Sequence, residues 1–157
     1  MSGRSSRNKG AGGEREAIAL LQPAVDEVCR DLNVQRFELI RDSRQRYEKK
    51  HYDIFGCPWM ALEVKRVENQ SGLGSWWEQV CLATLEGQTP VLMYRPNNSP
   101  WKIRTRVPIS VVKGGFYEGK GMFKPVRVKM TVDITFPDFL VWFKLKLKAE
   151  LTGIGNF

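Results

Sequence analysis

Apolar residues at Ile18, Leu21, Val25, Val28 and Leu32 stand 3, 4, 3 and 4 positions apart, the period of one buried helix face. Farther along, the period changes to two: Val126, Val128, Met130, Val132, Ile134 and Phe136 alternate with other residues, as on a strand with one covered face. A chain that carries both periods folds as a mixed α/β domain. Its 157 residues, 42% hydrophobic, supply a single core. The longest apolar run, Phe139 to Phe143, is far below the roughly 18 residues a bilayer span needs, so no membrane protein is expected. The N-terminus lacks the apolar stretch of a signal peptide, which makes the expected location cytoplasmic. Cys29, Cys57 and Cys81 are widely spaced with no CxxC pair, which argues against a disulfide scaffold or a zinc knuckle.

Charge divides the chain. The total is +8, distributed as +3 over residues 1–12, −2 over 13–100 and +7 over 101–150. A slightly acidic body between basic flanks suits a polyanion partner held by the flanks; the alternative is a soluble basic surface with no partner. Residues 1–13, rich in Gly, Ser, Arg and Lys, read as a flexible basic arm, and 14–157 as one domain. The arm leads into a helix with Glu14 and Glu16 in its first turn, where carboxylates suit the helix dipole, and Pro23 is expected to kink or split it.

Short strands are predicted at Phe37–Arg41, Tyr52–Phe55 and Met60–Val67, with the Gly56, Cys57, Pro58 turn between the last two. A second helix is predicted over Ser75–Leu85, with Ser75 and Glu78 as a capping box and Gly87 as its stop. A buried strand follows at Pro90–Arg95. Strand patterns at Ile103–Val107 and Ile109–Val112 flank Pro108, and another runs over Val126–Phe136. Residues 137–151 alternate like a strand, but Thr135 to Asp138 is a helix-start pattern and Gly153 a stop, so a helix is preferred.

The acidic body contains Asp53 and, ten residues on, Glu63 followed by Val64 and Lys65. Residues two apart on a strand share a face, so Glu63 and Lys65 point together while Leu62 and Val64 enter the core. A tight turn brings Asp53 towards Glu63. Two carboxylates on neighbouring strands form an oxygen-rich site for a hard cation such as Mg2+, and the lysine reaches the same phosphate or water. That set suits metal-assisted phosphodiester hydrolysis. A surface Glu–Lys pair with an Asp nearby is the plain alternative.

The surroundings extend the pattern. Lys9 and Gly10, then Glu14, Arg15 and Glu16, then Arg41, Asp42 and Ser43, precede Asp53 and the Glu63–Val64–Lys65 triplet; an amphipathic helix and an apolar strand follow. This resembles the PD-(D/E)xK nuclease superfamily and, more narrowly, the archaeal-type Holliday junction resolvases, including their phage-encoded branches. The resemblance covers roughly residues 7–95. The longer stretch between Arg41 and Asp53, Pro23, and an added β element over 113–136 depart from the family pattern.

The resemblance implies a restriction-endonuclease-like core: a central mixed β-sheet flanked by helices, with the added β element towards the C-terminus. It implies a structure-selective, Mg2+-dependent DNA endonuclease, with Mn2+ able to substitute. The enzyme would act as a homodimer on four-way junctions in DNA recombination and repair, with no small-molecule cofactor. Glu14, Asp53, Glu63 and the Val64 carbonyl would hold the metal, Lys65 would be the catalytic lysine, and Arg7, Lys9, Arg41 and Ser43 would contact DNA. The alternatives are another nuclease of the superfamily, restriction-like or recombination, and a non-catalytic DNA-binding module of the same fold. His51 is a candidate base or a surface histidine. Trp76 and Trp77 are candidates for base stacking, a dimer interface or core. Gln79 either faces the metal site or is solvated. Lys144, Lys146 and Lys148 either track a phosphate backbone or form a solvated face.

Overall fold

The computed structural model describes residues 3–42, 52–117 and 120–154, with side chains described over 10–42, 52–109 and 128–154. Among these the order is α1 (Gly3–Asp31), β1 (Ile40–Arg41), β2 (Ile54–Phe55), β3 (Met60–Val67), α2 (Leu73–Ala83), β4 (Thr89–Pro96), β5 (Lys102–Tyr117), β6 (Lys120–Thr135) and α3 (Phe136–Thr152). The strands form one mixed sheet in sequence order. Only β3 and β4 are parallel, joined through α2 as a parallel pair requires; the other neighbours are antiparallel. No helix among the described residues is long and apolar enough to cross a membrane.

The central strand β4 is buried from Pro90 to Tyr94, and its alternate residues serve two layers. Val91 and Met93 join Leu62, Val64 and Ile103 in the main core beneath α1 and α3, with Leu21, Val25, Val28, Phe139, Phe143 and Leu147. Leu92 and Tyr94 join Val80, Trp76 and Trp77 beneath α2. Each fully buried Phe or Leu contributes roughly 1.5–3 kcal/mol, so the two layers fix β4 between them.

Helix α1 begins at Gly3, so residues 3–13 of the stretch expected as a flexible basic arm are helical. Once a helix is nucleated, each added residue costs little. The turn Gly12–Gly13 passes directly over β3: a Cβ on Gly13 would lie 3.3 Å from Arg66 Cβ. Glu14 and Glu16 are therefore mid-helix rather than in a first turn, and they meet arginines instead of free N–H groups. Pro23 does not split the helix. Pro23 and Ala19 are both exposed, so the carbonyl that loses its partner there faces water.

Strand β1 is shorter than predicted because α1 supplies its upstream partner. Gln22 donates to the Phe37 carbonyl at 3.0 Å and accepts from the Leu39 N–H at 2.9 Å, satisfying backbone that a strand would otherwise pair. Gly56 makes the β2–β3 turn at φ 126°, where a Cβ would meet Leu39 Cδ2 at 2.9 Å; only glycine fits. The Ser75–Glu78 capping box does not form. Helix α2 starts two residues earlier, at a Gly72 N-cap with no side-chain cap, and the Ser75 hydroxyl donates back to the Gly72 carbonyl at 2.9 Å.

Pro108 does not interrupt β5. It lies beyond Thr105, where the β4 register ends, and an edge position does not need its N–H. Residues 136–152 are helical, capped by Thr135, whose hydroxyl accepts from the Asp138 N–H at 3.3 Å, and closed by Gly153 at φ 66°. The buried Phe139, Phe143 and Leu147 recur every four residues, a helical period inside an alternating pattern.

Candidate active site

Asp53 sits just before β2, where its N–H donates to the Leu62 carbonyl at 2.9 Å and its carbonyl accepts from the Asp42 N–H at 2.9 Å. Its side chain is nearly fully buried, and Oδ2 accepts from the Val64 N–H at 2.7 Å. The carboxylate is thus tied to the main chain of β3 between Glu63 and Lys65. Glu63 and Lys65 share one face as expected, with Leu62 and Val64 buried on the other. Lys65 Nζ donates to Glu63 Oε1 at 2.5 Å. Glu14, only 6% exposed, reaches over from α1 and is ion-paired with Arg41 on β1.

Four of the expected site residues therefore share one electrostatic neighbourhood. Burial, reinforced by the Asp53 charge and opposed by Lys65, pushes the Glu63 carboxyl up to about 7. Burial also raises Glu14, with Asp53 adding to the effect and Arg41 and Lys65 opposing it. For Lys65, burial acts to lower the pKa, but the negative charges of Glu63, Asp53 and Glu14 outweigh it, and the ammonium is held above its usual range.

Among the described residues no group of three or more His, Cys, Asp and Glu side chains is gathered closely enough to hold a metal ion. The donors present are the buried Asp53 carboxylate and, on β3, the Glu63 carboxylate, whose side chain is 12% exposed, oxygen ligands of the type that Mg2+ takes. That ion is commonly bound by one or two carboxylates, with water and substrate phosphate completing its shell.

Arg41 is engaged by Glu14 while its side chain stays 37% exposed. Arg7 and Lys9 lie on α1, with side chains outside the described residues; Ser43 and His51 lie outside them altogether. Trp76 and Trp77 are half-buried against Val80, Leu92 and Tyr94, so both contribute to packing. Gln79 is exposed on α2. Two residues named in the sequence motifs take roles not expected of them. Asp42 is buried and bonded to the Asp53 carbonyl, and its only signal was its place beside Arg41. Glu16 receives Arg95, the Trp101 Nε1–H at 3.0 Å and Arg66 at 3.8 Å, fastening α1 across β3 and β4. No family model, curated protein or solved structure matches the chain.

Proposed function

We propose that this chain is a metal-dependent DNA endonuclease that hydrolyses phosphodiester bonds at four-way junctions, a Holliday junction resolvase acting as a homodimer. The observation that carries the reading is the 2.7 Å bond from Val64 N–H to Asp53 Oδ2. It locks the aspartate to the strand that bears Glu63 and Lys65 and converts a dispersed sequence pattern into one site. The order of elements, a helix, an antiparallel strand pair running into β3, then a helix and a parallel strand, supports a restriction-endonuclease-like core.

Asp53, Glu63 and the Val64 carbonyl would hold Mg2+, with Mn2+ as a substitute and Glu14 alongside. When bound, the cation supplies Lewis-acid polarisation of the scissile phosphate and a lowered pKa for water. Lys65 keeps its proton, because the surrounding carboxylates favour its charged form, and donates to a phosphate oxygen as negative charge accumulates there. Glu63 holds Lys65 in place. Glu14 holds Arg41, and an incoming phosphate competes for that guanidinium.

A four-way junction is roughly two-fold symmetric, and a two-fold dimer presents two such sites to opposed strands. Val141 and Leu145, one turn apart on α3 and both more than half exposed, are apolar surface suited to a second copy. A linear-duplex nuclease would use the same chemistry, so the test is competition. With Mg2+ present, a four-way junction should be nicked symmetrically and should outcompete linear duplex at equal phosphate concentration. Equal competition by linear duplex would replace the junction reading with a general nuclease.

A further inference from the structure

The charge of +7 over residues 101–150 is concentrated in one place. On α3, Lys144 is bonded to Glu27 at 2.5 Å, Lys146 to Glu150 at 2.6 Å and Lys148 to Asp31 at 3.2 Å. Arg104 is held by both carboxylate oxygens of Asp133 at 2.7 and 2.6 Å. These cations are already matched. Arg106 is stacked over the Trp77 ring at 5.8 Å, and the remaining excess lies in residues 107–131, where Lys113, Lys120, Lys124, Arg127 and Lys129 occur with a single acidic residue, Glu118.

That same stretch leaves the sheet. The register between β4 and β5 ends at Val91↔Thr105, whereas β5 and β6 stay paired from Arg106↔Thr131 out to Tyr117↔Lys120. Twelve successive pairs at roughly 3.4 Å each make a two-stranded ribbon about 40 Å long, more than one turn of B-DNA at about 34 Å. None of residues 106–109 and 128–131 is buried.

The register also divides the cations between both faces of the ribbon. Lys113, Lys120 and Lys124 occupy positions of one face, and Arg127 and Lys129 positions of the other. A ribbon laid flat on a protein partner would keep its cations on the free face alone. In a duplex groove there is a phosphate wall on either side, and the major groove, about 12 Å wide, admits a two-stranded ribbon. From this we infer that the β5–β6 ribbon is a duplex-DNA arm: it enters the major groove and grips one arm of the substrate cut at the Asp53–Glu63–Lys65 site. The choice of DNA as the polyanion rests on the nuclease reading; the groove geometry does not.

The test is the full chain carrying Lys113→Gln, Lys120→Gln and Lys124→Gln together, titrated without metal against duplex and junction DNA at about 50 and about 200 mM salt. Three lost phosphate contacts should flatten the salt slope by up to about 2.7, so the affinity lost between those two salt concentrations should shrink by up to roughly fortyfold. The thermal midpoint should not move, and a Lys144→Gln, Lys148→Gln control should keep the wild-type slope. An unchanged slope and affinity in the triple variant would overturn the arm. So would dissociation of a wild-type dimer into monomers of unaltered DNA affinity, which would assign the ribbon to a second copy. Cleavage by the wild type in Mg2+ is scored separately. Binding that depends on the ribbon, without any cleavage, would overturn the nuclease reading and leave the arm standing.

Discussion

Asp53 Oδ2 accepts a 2.7 Å hydrogen bond from the Val64 N–H, and Val64 is the residue that separates Glu63 from Lys65. The aspartate is therefore held by β3 itself rather than by a surface loop. Because the bond is buried, removing the acceptor and removing the charge have different consequences.

Asp53→Asn retains an oxygen that can accept from Val64 N–H, whereas Asp53→Ala leaves that donor buried and unpaired. The alanine variant should lose about 1–3 kcal/mol of stability and the asparagine variant clearly less. Both should be inactive. Denaturant unfolding of the two variants, beside a cleavage assay, checks the distinction; equal stability losses would mean that the hydrogen bond is not what fixes Asp53.

Glu63 gives the metal-free protein a pH signature. Its carboxyl is raised from 4.5 to about 7, chiefly by burial, so between those values the folded state binds the proton that the unfolded state has released. Stability should therefore fall as pH rises through that window. Glu63→Gln carries no charge at any pH and should flatten the decline, becoming more stable than wild type above pH 7 while differing little near pH 4. Thermal midpoints across that range test it, and parallel curves for the two proteins would contradict it.

Glu16 should matter for stability and not for chemistry. It fastens α1 to Arg95, Trp101 and Arg66. Glu16→Ala should cost about 1–3 kcal/mol while cleavage per folded molecule in Mg2+ stays near wild type. A loss of activity in fully folded protein would assign Glu16 to the active site instead.

How much of this was legible in the sequence depended on whether a signal was local. Strand β3, with Glu63 and Lys65 on one face, could be read from alternation alone, and the capped helix α3 from Thr135, Asp138 and Gly153. The start of α1 could not, because the Ser- and Gly-rich residues before Glu14 have low propensity and are helical by extension of a packed helix. The short β1 could not either: its missing ladder is replaced by the amide of Gln22, fifteen residues upstream of Phe37. Of the site, the sequence gives Asp53 and Glu63 as candidates. It does not give the engagement of Arg41 by Glu14, which depends on how α1 crosses the sheet.

The central claim is that Asp53, Glu63 and Lys65 form one phosphodiester-cleaving site, and the most direct measurement is nicking of a labelled four-way junction by purified protein with and without Mg2+. Wild type should nick only with the metal. Asp53→Asn, Glu63→Gln and Lys65→Ala should each fall by at least about a hundredfold, the scale of a lost transition-state contact, while still binding the junction. Cleavage that needs no divalent cation, or near wild-type nicking by the Asp53→Asn and Glu63→Gln variants, would contradict the account.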